Sequence, residues 1–144
     1  MFLYSYIKCY KNYWQIPRTE VFAMKKNVLI IEDEENIANA EKIVLQDNFN
    51  VEIANDGEEG LKKARELKPD LIVLDLMMPN RGGYDVCYHL RQDDDLKHIK
   101  ILMVTAKDQQ IDEDKGMLVG ANEYLTKPFE PEDLLNLALK LTND

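Results

Sequence analysis

The sequence predicts an α/β fold, a five-stranded parallel sheet with helices packed on both faces. Two observations carry this prediction. Short, continuous apolar runs rich in β-branched residues recur along the chain, and the stretches between them carry helical periodicity. A strand that is apolar at every position has both faces covered, and helical crossovers between parallel strands supply that cover.

The first run, Val28-Leu29-Ile30-Ile31, follows Met24-Lys25-Lys26-Asn27. Ile37, Ala40 and Val44 then fall at i, i+3 and i+7, the spacing of one helix face. Val51-Glu52-Ile53-Ala54 alternates instead, which suits an edge strand with one wetter side. Asp56-Gly57 is a turn signal, Leu61 and Ala64 begin a second helical stripe, and Lys68-Pro69-Asp70 stops it. Leu71-Ile72-Val73-Leu74 is the third strand, and Ile101-Leu102-Met103-Val104 the fourth. Ala121 to Leu125 is a weaker fifth. The helices expected over Tyr84–Leu90 and Ile111–Leu118 are poor by pattern alone. The last one is better marked. Pro131 with Glu132 and Asp133 suits a first helical turn, where the missing donor costs nothing and acids favour the dipole. Leu134, Ala138 and Leu141 give that helix its apolar stripe.

At 144 residues the chain has room for one domain with a sizeable core. No apolar run approaches the roughly 20 residues that span a bilayer, so membrane insertion is not expected. Cys9 and Cys87 lack metal-ligand spacing and read as ordinary thiols of a reducing, cytoplasmic compartment. Net charge is −9; residues 1–23 hold Lys8, Lys11 and Arg18 against Glu20, a sum of +2, which leaves −11 for residues 24–144. Such an acidic body repels a phosphate backbone, so direct nucleic-acid binding is not expected. The domain is expected to span 24–144. Residues 1–23 form an extension of uncertain structure, crowded with Tyr4, Tyr6, Tyr10, Tyr13 and Trp14; they are either an appendage to the fold or a segment whose aromatics dock on the domain or a partner.

In open parallel sheets, ligands bind beyond the carboxyl ends of the strands. Here the first run leads into Glu32-Asp33, the third into Asp75, the fourth into Thr105, and the fifth into Lys127-Pro128. Carboxylates held within a few ångströms raise one another's pKa unless a cation sits between them. A few hard oxygen ligands that leave room for water suit Mg²⁺, with Mn²⁺ as an alternative, better than zinc. Lys127 can pair with a carboxylate or a phosphoryl oxygen, and the Thr105 hydroxyl can donate to the same group. Together these are the parts needed to form an aspartyl phosphate.

These residues carry a resemblance. Ile30-Ile31-Glu32-Asp33-Glu34, Leu74-Asp75-Leu76-Met77-Met78-Pro79 followed by Gly83, Val104-Thr105-Ala106, and Gly120-Ala121 with Tyr124-Leu125-Thr126-Lys127-Pro128-Phe129 resemble the receiver domain of bacterial two-component response regulators, single-domain chemotaxis regulators among them. The likeness covers Met24 to about Leu141. It implies a flavodoxin-like strand order, 2-1-3-4-5, with five helices. It also implies that Asp75 is the phosphoacceptor, and that Glu32, Asp33, Asp75 and the backbone carbonyl of Met77 hold the metal. Glu32 stands where the family often has aspartate, so its longer arm would act through a bound water. Thr105 and Lys127 would contact the phosphoryl group, Thr105 and Tyr124 would form the switch, and the Lys127–Pro128 bond would be cis. The partners implied are a sensor histidine kinase or histidine phosphotransfer protein, and a downstream protein at the face made by the fourth helix, fifth strand and fifth helix. The chain would assist its own phosphorylation and dephosphorylation without being a conventional enzyme.

Two other functions compete. A phosphohydrolase of the haloacid dehalogenase kind also uses an aspartate nucleophile, Mg²⁺ and a lysine, but it wants a second aspartate two places on, where Met77 stands. A pseudo-receiver that only binds partners would keep the fold and lose the acidic set, which is complete here. Only Thr142-Asn143-Asp144 follows the last helix, so either a stand-alone regulator acting through protein contacts or a piece of a longer chain is expected. His89, His98 and the run Asp93-Asp94-Asp95 read as ordinary surface residues.

Overall fold

The computed structural model describes residues 17–19, 24–106 and 120–143. Most of the amino-terminal segment, Cys9 included, and the helix expected over 111–118 lie outside the described residues. In chain order the elements are β1 (Lys26–Ile31), α1 (Glu35–Leu45), β2 (Phe49–Ala54), α2 (Gly57–Leu67), β3 (Leu71–Asp75), α3 (Gly83–Gln92), β4 (Lys100–Ala106), β5 (Glu123–Lys127) and α4 (Pro131–Asn143). The described residues thus hold four of the five helices expected, α4 being the last of them.

All four strand pairings are parallel, and the order across the sheet is β2-β1-β3-β4-β5. Side chains alternate across a strand, and that alternation divides the core. Leu29, Ile31, Ile72, Leu74, Ile101 and Met103 pack on the face of α2 and α3, together with Leu61, Ala64, Val86 and Leu90. Val28, Ile30, Leu71, Val73, Leu102 and Val104 pack on the opposite face with α1 and α4, against Ala38, Leu45, Leu134, Ala138 and Leu141. Both layers therefore draw on every central strand, which is why these strands read as unbroken apolar runs.

The edge strands differ from the centre. β5 begins two residues later than its apolar signal suggests, and only Leu125 among its five residues is buried. In α1 the stripe Ile37, Ala40 and Val44 is not the buried one; Ala38, Glu41 and Leu45 are, one position round the helix. The displacement leaves Ala40 exposed and places a carboxyl group on the core face.

α2 is capped as its sequence suggests. The Asp56 carboxylate accepts from the Glu59 N–H at 2.8 Å, and Glu59 in return accepts from the Asn55 N–H at 2.9 Å. Lys68 closes the helix in the left-handed region, φ 44°, just before Pro69.

Candidate functional site

β1, β3, β4 and β5 all deliver their carboxyl ends to one edge of the sheet. Glu32 follows β1, Asp75 ends β3, Thr105 lies near the end of β4, and Lys127 ends β5. The pairing Asp75↔Val104 and the pairing Thr105↔Thr126 set the central and outer parts of that edge in register. α3 closes on it as well. A Cβ at Gly83 would stand 2.5 Å from the Asp75 carbonyl oxygen and 2.8 Å from the Leu76 Cα, so only glycine lets α3 begin this close to the strand end.

Carboxylate oxygens of Glu32, Asp33 and Asp75 lie within 4.8 Å of one another, the only such acidic group among the described residues. Glu32 and Asp75 are buried, with 2% and 7% exposure, whereas Asp33 is open to solvent. Lys127 Nζ donates to Glu32 at 3.3 Å and stands 3.9 Å from Asp75. Burial, then the Asp75 charge, pushes Glu32 up to about 7 against the pull of Lys127. Burial also raises Asp75, with Lys127 and the Met77 N–H drawing it back. Burial would lower the Lys127 ammonium, but Glu32 and Asp75 outweigh it and hold it above its ordinary value. One ammonium for three carboxylates leaves negative charge in excess.

Thr105 is fully buried, and its hydroxyl finds no hydrogen-bond partner among the described residues. A buried, unpaired hydroxyl costs on the order of 1–3 kcal/mol, so it marks a place where an acceptor belongs. Met77 is exposed and its N–H reaches Asp75 at 3.3 Å. Tyr124 is half-buried against the α2–α3 side of the core. The Lys127–Pro128 bond is cis. The structure therefore gathers Glu32, Asp33, Asp75, Thr105 and Lys127 at one place, with Met77 on its rim and Tyr124 beside β4. His89, His98 and Asp93–Asp95 lie elsewhere: Asp93 accepts from the Asp95 N–H within the turn after α3, and His89 pairs with Asp85.

An all-oxygen donor set with two desolvated carboxylates and a third open to water fits a hard divalent cation that keeps part of its hydration.

One group has no forerunner in the sequence argument. Glu41 on α1 is 4% exposed, and its Oε1 has no hydrogen-bond partner among the described residues. Burial, then the charge of Glu32, pushes it up to about 8. Its place at i+3 from Ala38 and i−4 from Leu45 was the available signal, once the buried stripe is known.

Residues 28–139 match the response regulator receiver domain family. The alkaline phosphatase synthesis transcriptional regulatory protein PhoP of Bacillus subtilis (strain 168) is 46% identical over 112 residues, 77% of this chain and 46% of that protein. The DNA-binding response regulator MtrA of Mycobacterium tuberculosis (strain ATCC 25618 / H37Rv) is 39% identical over 113 residues, 78% of this chain and 48% of that protein. The chain thus spans about half the length of the curated relatives it matches. Among solved structures, the chemotaxis response regulator CheY4 of Vibrio cholerae superposes with a TM-score of 0.77 at 34% identity, covering 82% of this chain and 99% of that one. Sequence motifs, strand order and site geometry agree with these matches: the chain belongs to the response regulator receiver domain family of two-component signalling.

Proposed function

We propose that the domain over 24–144 accepts a phosphoryl group on Asp75 from a histidine kinase or histidine phosphotransfer protein. The observation that carries this reading is the convergence of three carboxylates, one ammonium and an unpaired hydroxyl at a single sheet edge. An Asp75 carboxylate oxygen forms the new bond to phosphorus as the bond to the donor's imidazole nitrogen breaks; the imidazole leaves with the electron pair and regains a proton. Lys127 turns from Glu32 and Asp75 toward a phosphoryl oxygen, and Thr105 donates its hydroxyl to another. Glu32, Asp33, Asp75 and the Met77 carbonyl would hold Mg²⁺ or Mn²⁺, which neutralises developing charge on the transferred oxygens. Hydrolysis returns the carboxylate, with water attacking phosphorus. The protein is a signalling module that assists these steps, in keeping with its family, and not a conventional enzyme.

Output follows from the orphan hydroxyl. Once Thr105 is drawn to the phosphoryl group, the half-buried Tyr124 can move into the space behind it. That shift biases a two-state equilibrium at the face formed by β5, α4 and the helix that the sequence predicts between β4 and β5, where a protein target binds. The charge of −11 over residues 24–144 favours protein contacts over a phosphate backbone. No helix among the described residues is long and apolar enough to cross a membrane, which accords with action in the cytoplasm.

The test is phosphorylation by acetyl phosphate with Mg²⁺. Wild type takes up label and Asp75→Ala does not. Label that survives the substitution contradicts the assignment.

A further inference from the structure

On the side of the sheet covered by α1 and α4 lies an open groove of about 320 Å³, lined by Ile37, Ala40 and Val44 of α1 and by Phe129 and Leu134 at and just before the start of α4. Leu134 belongs to the core layer on this side of the sheet, and Val44 and Phe129 pack against it, so the groove opens onto that layer and its walls are apolar. One polar group interrupts them. Glu41 lines the groove and is 4% exposed, and its Oε1 has no hydrogen-bond partner among the described residues. A buried carboxyl without a donor costs free energy that an apolar side chain there would not, so a donor belongs beside it.

Charge selects the kind of donor. The charges acting on Glu41 are Glu32, Asp75 and Lys127, two negative against one positive, and burial together with Glu32 pushes its carboxyl up to about 8. Glu132 and Asp133 add acid in the first turn of α4, between Pro131 and Leu134 of the groove. An anion is repelled from such a place, and a neutral donor leaves the negative field unanswered. An ammonium brings donors and a counter-charge together, whereupon the Glu41 carboxyl releases its proton to water. The volume is near the lower end of the range of small-molecule sites, about 300–1,000 Å³, which suits a ligand of one ring.

We propose that the groove between α1 and α4 binds small arylalkyl ammonium compounds, with the ammonium on Glu41 and the ring against Ile37, Phe129 and Leu134. None of these residues is among those that would hold the phosphoryl group or the metal, so this binding is independent of Asp75 chemistry.

The probe is phenethylamine, titrated at pH 8 into the full chain and followed by two-dimensional ¹H–¹⁵N NMR. Saturable shifts should centre on the amides of 37–44 and 129–134. 2-Phenylethanol, with a hydroxyl in place of the ammonium, should bind about tenfold more weakly or worse. Glu41→Gln keeps the size and polarity of the side chain but carries no charge; it should weaken phenethylamine by about tenfold and leave 2-phenylethanol within about twofold. Ala40→Phe, at an exposed position on the wall, should weaken both ligands by narrowing the groove, and Asp75→Ala should bind phenethylamine as wild type does. Shifts spread over the acidic surface or centred on the carboxylate edge, an alcohol that binds as tightly as the amine, or undiminished amine affinity in a folded Glu41→Gln or Ala40→Phe would each overturn the proposal.

Discussion

Cation binding at the carboxylate edge is expected to be linked to protons, and the structure sets the size of the linkage. Glu32 is buried beside Asp75 and titrates at about 7 before any cation enters. A divalent ion needs the carboxylate form, so at pH 6 it must displace the Glu32 proton, whereas at pH 8 that proton is already gone. With the Glu32 midpoint at about 7, the competent fraction rises from about one-eleventh at pH 6 to about ten-elevenths at pH 8, and Mg²⁺ affinity should rise about tenfold over that interval. Binding at pH 6 should release about 0.9 proton per ion, and at pH 8 about 0.1. Isothermal titration calorimetry in two buffers of different ionisation enthalpy counts the protons directly. Glu32→Gln should flatten the Glu32 component of the profile while weakening binding overall. An affinity in wild type that changes less than about twofold between pH 6 and 8, with no buffer-dependent heat, would refute both the burial argument and the place of Glu32 beside the metal.

Glu41 supplies a stability test of opposite character. Its folded-state value of about 8 exceeds the ordinary 4.5, so the unfolded chain ionises first and the native state loses stability as pH rises from about 5 to 8, by about 3 kcal/mol; urea unfolding of wild type and Glu41→Gln at both pH values should show the slope shrinking by that amount in the variant, and equal slopes would count against it. Gly83→Ala drives a Cβ into the Asp75 carbonyl and the Leu76 backbone, which should cost about 1–3 kcal/mol in urea unfolding and slow acetyl-phosphate labelling several-fold by shifting the strand end. Arg91 donates to the carbonyls of Gly120, Lys97 and Ile99 and to the Asn122 side chain at 2.7–3.0 Å. Arg91→Met should therefore destabilise the fold by about 2–3 kcal/mol, seen as a lower urea midpoint, with Asp75 still labelled.

The centre of the sheet was readable because β1, β3 and β4 are covered on both sides and nothing interrupts their apolar runs. The edges were harder for the opposite reason. In β5 only Leu125 is buried, so the strand has little hydrophobic pattern to display and its apolar signal starts two residues early. α1 misleads more instructively. Its most conspicuous apolar stripe, Ile37, Ala40 and Val44, faces the groove, and the core face is half concealed by the charged name of Glu41. Arg91 escaped notice because its acceptors are mostly backbone carbonyls from two separate segments, 97–99 and 120–122, a pattern no local spacing reveals. Gly83 carries a steric meaning visible only once α3 is seen against Asp75. Glu32, Asp33, Asp75, Thr105 and Lys127 could be named together because parallel strands send their carboxyl ends to one edge, whereas the orphaned state of the Thr105 hydroxyl needed coordinates.

A structure of the protein with Mg²⁺ and beryllofluoride, a mimic of the phosphoryl group, tests the central claim most directly. The mimic should sit on an Asp75 carboxylate oxygen, with the Thr105 hydroxyl and the Lys127 ammonium as donors and the metal on Glu32, Asp33, Asp75 and the Met77 carbonyl. A mimic bound elsewhere, or an Asp75 that stays paired with Lys127 while Thr105 remains without an acceptor, contradicts it.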